Sequence, residues 1–415
     1  MFRISTNMPN DDMQYRLRRQ EESLSNIQAK IAGQTKFNNL RDDPLAVSHA
    51  VRYESYLSRL NRFEKNVLYA KEHLNQTDAY LQQTSDVLQR IRELAVMGAN
   101  GIYTKEDMQA MGVEVNELLK ELTAIANAIG PDSTKVFAGD KAFTEPFRLI
   151  EGKIDGGQES MALAVEYRGA GASRRAEVGD GVYINLDISG GEAFWAEKMV
   201  ITSSFDAANY EVTAPGAFFV DGVEIQVTLG DNLSSIAAKI NDSSAPVQAS
   251  IDPEKHSLII EGTNPHLIRM EDAQGSTVLQ DLGVVVPNAV QGAPNWNVSA
   301  QVSGGSLFDM VIDLRDAFYR GDGNFIGSRG VGGIDLALNN VQTRLVDIGS
   351  RAERAESTWK RINADIPNVT AAIGREASLD FAAAAVDLGM MDFAHKATLQ
   401  AASKILPQTL LNFLK

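Results

Sequence analysis

The chain of 415 residues has no cysteine, which excludes disulfides, thiol nucleophiles and cysteine metal sites. Its histidines, His49, His73, His256, His266 and His395, are dispersed with no pair at ligand spacing, so a zinc centre is not expected and each reads as a surface or packing residue. No apolar run approaches the roughly 20 residues that span a bilayer, so membrane insertion is not expected. Met1 to Asn10 lacks the apolar core of a secretory signal. Clustered positive charge is missing too, which argues against nucleic acid as a partner. No nucleophile elbow is present, and the glycine-rich stretch from Gly321 to Gly327 is one residue too long for a phosphate loop. Neither a catalytic constellation nor a cofactor site is therefore predicted.

Proline is absent between 45 and 130, whereas seven of the twelve fall between 146 and 294. Charge follows the same division. Residues 151–304 carry 21 acidic and 8 basic side chains, while the flanking segments are nearly neutral. Neutral ends can associate closely, and an acidic middle reads as a solvated, outward part.

Two heptad ladders occupy the flanks. The first runs Leu60, Val67, Leu74, Leu81, Leu88, Ala95, with Phe63, Ala70 and Ile91 on a second seam and Thr77 and Thr84 between. The other runs Ile334, Leu338, Val341, Leu345, Ile348, Ala352, Ala355, Trp359, Ile362. A seven-residue apolar repeat holds one helix stripe against a partner helix, so the two ladders are expected to form an intramolecular seam. Asp43 can cap a helix with Pro44 at its first position, and Asn100-Gly101 ends it. A further helix is expected from about 105 to 129, and the final helix from about 376 to 414. Pro367 should kink or end the second ladder near Ile366.

Between the ladders the period changes to two. Strands are expected over 161–167, 181–188, 198–204, 218–229, 247–251, 257–261 and 266–271. The fold class is thus α+β and multidomain, a long antiparallel helical bundle of N- and C-terminal segments with an inserted β-rich outer domain. The division expected is 1–44 with 376–415 as a terminal helical core, 45–150 with 305–375 as a helical rod, and 151–304 as the β-rich part. Residues 10 to 31 and 397 to 414 expose apolar stripes with little else in the chain to cover them. Leu17, Leu24, Ile27 and Ile31, with Leu406, Leu410, Leu411, Phe413 and Leu414, are the assembly-interface candidates.

Arg3-Ile4-Ser5-Thr6-Asn7-Met8, Arg41-Asp42-Asp43-Pro44, Arg92-Glu93-Leu94-Ala95-Val96, the strand-like Val136-Phe137-Ala138-Gly139 and Leu410-Leu411-Asn412-Phe413-Leu414 resemble the flagellin family. Val220-Asp221-Gly222-Val223, Leu233 to Asn241 and Val247 to Ser250 resemble the small insert, here 218–285, shared by some flagellins and hook-associated proteins. Asp42-Asp43-Pro44, and Leu314 to Phe318 followed by Gly321-Asp322, are more similar to hook-associated members than to filament subunits.

The resemblance implies a non-enzymatic structural subunit at the junction of hook and filament, secreted by the flagellar type III apparatus. It implies as partners the hook-side junction protein, flagellin, further copies of itself in a ring, and an export chaperone on the C-terminal segment. A minor flagellin is the alternative. A coiled-coil adhesin or scaffold would explain the ladders but not the paired terminal signatures.

Overall fold

A computed structural model describes residues 8–39, 41–130, 132–153, 160–286 and 295–411, with side chains left out at 8–10, 153, 160 and 404–411. In chain order the helices α1 (Met8–Gly33), α2 (Pro44–Ala99) and α3 (Lys105–Ala126) lead into strands β1 (Phe147–Lys153), β2 (Ser160–Tyr167), β3 (Arg175–Gly179) and β4 (Val182–Asn185). A turn of helix α4 (Gly190–Ala193) precedes β5 (Val200–Thr202), β6 (Gly216–Val220), β7 (Val223–Val227), α5 (Leu233–Asp242), β8 (Val247–Ile251), β9 (Leu258–Gly262), β10 (Met270–Asp272), α6 (Val278–Asp281) and β11 (Gln301–Ser303). Helix then returns as α7 (Leu307–Arg320), α8 (Gly323–Phe325), a π turn at Ile326–Gly330, α9 (Val331–Ala377) and α10 (Phe381–Leu411).

Two compact units result, one of Met1–Lys65 with Trp359–Lys415 and one of Asn66–Thr358. Their boundary falls inside α2 and α9 rather than at the turn-rich link before Pro44.

In the terminal unit, α1 packs along α10. Thr35 bridges Ser378, and Leu379 donates to the carbonyl of Gln34, so the end of α1 meets the start of α10 and the two run antiparallel. Asp43 accepts from the Ala46 amide at 3.0 Å, capping α2 behind Pro44, and Asp380 caps α10 through the Ala383 amide at 3.1 Å. Leu60 and Ile362 are buried. Asn363, with its amide turned to suit its neighbours, donates to Glu64 at 3.1 Å and accepts from Trp359 at 2.9 Å.

Contrary to the sequence expectation, α9 passes through Pro367 without ending. The proline itself is exposed. The Asn368 and Thr370 side chains bond the carbonyls of Ala364 and Ile366 at 2.9 and 2.8 Å, supporting the backbone on either side.

The larger unit is built on an antiparallel pairing of α2 with α9. Arg92 meets Asp335 and Lys71 meets Glu356, pairs separated by the same number of residues on both helices. Val67, Leu74, Leu81, Leu88, Ile334, Leu338, Val341 and Ile348 are buried, and Leu345 is half-buried. Thr77 and Thr84 fit this seam because each hydroxyl donates to the carbonyl one turn earlier, His73 and Tyr80, at 2.9 Å.

Helix α3 packs on α7, and both begin in reciprocal capping boxes, Thr104 with Asp107 and Ser306 with Asp309. Between them Arg315 is wholly buried, donating to Asn116 at 3.1 Å and to Asp316 at 2.7 Å. Phe137, Phe147, Phe194 and Phe308 form an aromatic core beside α7, with ring centroids 4.9 to 5.6 Å apart.

Among the described residues the middle is β-rich but divided into four small sheets, β1-β2, β3-β4, β10-β6-β7 and β11-β5-β9-β8. The stretch 218–229, expected as one strand, is instead the hairpin β6-β7 folding about Asp221-Gly222. Both turn residues have positive φ, 49° and 80°, which suits a tight hairpin between twisted strands. Val136 to Gly139 is a buried turn, not a strand. Gly139 has φ 66°, and a Cβ there would lie 2.7 Å from the carbonyl oxygens of Ala170 and Ala172.

Candidate assembly surface

Helix α10 covers the wrong residues for a helix that ends its folding inside one chain. Ala384 and Ala402 are buried, with Leu388, His395 and Thr398 half-buried on the same stripe. The bulky apolar side chains point elsewhere. Phe393 is 76% exposed, Phe381 64%, and Val386 and Met390 61% each. Soluble surfaces scatter single apolar residues, but at about 100° per residue Val386, Met390 and Phe393 share one face of α10, with Phe381 on the other side.

On α1 the candidates Leu17, Leu24, Ile27 and Ile31 are half-buried. The side chains of Leu406, Leu410 and Leu411 lie outside the described set, as do Phe413 and Leu414 altogether. Phe381, Val386, Met390, Phe393 and Leu399 are not among the candidates, because the apolar residues of this stretch follow no single-stripe period. Its charged residues, among them the exposed Asp392 and Lys396 pair, are interspersed with the apolar ones.

The larger unit hides an ionic cluster that sequence spacing could not reveal. The Arg174 guanidinium donates to both oxygens of Asp187 at 2.8 and 2.9 Å and approaches His73 Nε2 at 3.0 Å. Tyr69 donates to Asp132 at 2.7 Å, and Arg351 from α9 donates to the Asp187 carbonyl at 3.2 Å. Burial, aided by the Arg174 charge, lowers the His73 pKa despite Asp187. For Asp132 burial works upward, but bonds from Thr134 and Tyr69 outweigh it and bring the carboxyl to about 2. Every member ties one segment of this unit to another. The network leaves His73 Nδ1 buried without a hydrogen-bond partner, while the Arg174 and Asp187 pair keeps two direct bonds.

Among the described residues, no helix is long and apolar enough to cross a membrane. Three family regions match the chain. Residues 4–142 match the bacterial flagellin N-terminal helical region, 212–264 the flagellin hook IN motif, and 331–414 the bacterial flagellin C-terminal helical region.

Among curated proteins, a flagellin of Treponema pallidum (strain Nichols) is 33% identical over 125 residues, 30% of this chain and 44% of that protein. A 31.3 kDa flagellar filament core protein of Treponema maltophilum is 30% identical over 182 residues, 43% of this chain and 59% of that protein. The chain thus spans about half the length of these relatives. Among solved structures, flagellar hook associated protein-3 of Legionella pneumophila superposes with a TM-score of 0.47 at 16% identity, covering 78% of this chain and 97% of that one. A putative flagellar hook-associated protein of Vibrio parahaemolyticus does so with a TM-score of 0.48 at 15% identity, covering 81% of this chain and all of the other. With matched helical regions at both ends and the hook IN motif between them, the chain belongs to the flagellin family.

Proposed function

We infer that this chain is a structural subunit of the bacterial flagellum that forms the junction between hook and filament. The observation that carries the assembly role is the set of uncovered apolar side chains on α10, with Val386, Met390 and Phe393 sharing one face, within a family whose terminal helical region matches here. Each large side chain taken out of water contributes about 1.5 to 3 kcal/mol, so adjoining subunits gain most where this face is buried.

The junction position, rather than the filament, rests on Asp42-Asp43-Pro44 and on the passage from Leu314 to Asp322, which are more like hook-associated members. Further copies in a ring, the hook-side junction protein and flagellin are the partners this reading requires. The absence of cysteine suits a chain threaded unfolded through a narrow type III export channel, with a chaperone covering the C-terminal segment until assembly.

A minor flagellin is the second reading, favoured by curated relatives that are themselves filament proteins. Purified chain incubated with filament seeds separates the two. A junction subunit adds a limited layer and stops, whereas long filaments of this chain alone would overturn the junction reading.

A further inference from the structure

Segment 264–270 joins the β-rich module to the helical base of the larger unit. On the base side, Leu267 donates to the carbonyl of Gly191 at 2.9 Å, Arg344 from α9 donates to Pro265 at 3.3 Å, and Arg269 bonds the Gly169 carbonyl while its guanidinium lies over the Tyr167 ring. On the module side Ile268 is buried in the core and Met270 enters β10 against Val220 of β6, while Asp221 in the β6-β7 turn takes up Arg269 and His266. The Asp221 amide donates to Arg269 at 2.8 Å, and its Oδ1 accepts from the Arg269 amide at 2.9 Å.

His266 completes this joint and is only 4% exposed. Nδ1 lies 2.8 Å from the Asn264 carbonyl and Nε2 lies 3.0 Å from Asp221 Oδ2. Both neighbours are acceptors without a proton to give. A neutral imidazole carries one N–H and satisfies one of them, whereas the imidazolium satisfies both. Gly262 keeps the ring in place, since a Cβ there would stand 3.0 Å from the ring carbon Cε1.

Charged groups face the ring from each element packed around it. Asp221 comes from the β6-β7 turn, Glu192 from α4 and Arg344 from α9, with Arg269 on the same segment. Burial works against the charged ring, but Asp221, Asn264 and Glu192 outweigh it and raise the pKa above the ordinary value. These residues line an open cleft of about 1030 Å³, so water is at hand to replace any bond that breaks.

We propose that His266 and Asp221 form a proton-operated latch that seats the β-rich module on its helical base. With the proton bound, the imidazolium ties the Asp221-Gly222 turn to segment 264–270. When the proton leaves to solvent, one of the two oxygens faces a nitrogen lone pair, and the contact between the Asp221-Gly222 turn and residues 264–267 loosens into the cleft, with Ile268 and Met270 still held in the module.

The test is amide exchange on the full chain between about pH 6 and about pH 9, with the base-catalysed chemical rate divided out, beside an NMR titration of the His266 ring. Corrected protection at Leu267 and Arg269 is expected to fall by up to about ten-fold per pH unit above the ring's titration point, the slope of a single proton. Asp221→Asn, which keeps a residue tolerant of positive φ, shifts both the titration and the loss of protection to lower pH. His266→Gln abolishes the pH step. Should His266→Gln fail to fold, the wild-type titration and Asp221→Asn still decide. Protection that stays flat while the ring titrates, a ring that titrates below 6.5, or a step that survives in His266→Gln overturns the latch.

Discussion

At the scale of single residues, the two buried histidines respond to pH in opposite senses. His73 has a folded pKa below its ordinary 6.5, so its contribution to stability is present above 6.5 and is lost as pH falls from 6.5 toward the folded value. His266 has a folded pKa above 6.5, so its contribution is complete below 6.5 and is lost as pH rises through the folded value. Asp132 acts lower still, with its contribution lost as pH falls from 3.8 to about 2. Denaturant unfolding across this range should show a stability slope just below 6.5 that disappears in His73→Gln, and a slope that persists unchanged would refute the assignment to His73. Gly139→Ala tests a different constraint, positive φ combined with carbonyl oxygens 2.7 Å from the added carbon. The expected loss is about 2 kcal/mol or more by the same unfolding measurement.

At the scale of elements, what the sequence reveals depends on how local the cause is. Helix α2 was legible to within a residue because Asp43 and Pro44 start it and Asn100-Gly101 stop it. The ladders were legible because a heptad repeat records burial directly. Strands β1, β3 and β11 were not, and β11 exists only by pairing with β5 about a hundred residues away. The hairpin at Asp221-Gly222 carried its turn signal, but the apolar residues on both sides read as one run. The His266 and Asp221 pair lies 45 residues apart in sequence, and neither spacing nor type announces it. Pro367 predicts a kink or an end near Ile366 because propensity scores the missing donor, and the helix continues through it. Pro367→Ala should restore one helical bond and raise stability by up to about 3 kcal/mol, seen as a higher melting temperature. A lowered melting temperature would show that the proline is needed where it stands.

At the scale of the whole molecule, the chain divides its labour between packing and assembly. The larger unit holds an aromatic core, the ionic pair of Arg174 with Asp187 and a buried Arg315 that keeps its partners. Helix α10 does the reverse and leaves its largest apolar residues in water. Phe393→Glu should therefore leave the melting temperature of the isolated chain unchanged while stopping its incorporation into flagella. A shifted melt with normal incorporation would mean that Phe393 packs within the chain instead.

The central claim, a structural role at the hook-filament junction, is tested most directly by deleting the gene and examining cells and culture medium for flagellin. The account predicts intact hooks that bear no filament, with flagellin shed as monomers into the medium and filaments restored by the wild-type chain. Filaments of normal length on the deletion strain would contradict it.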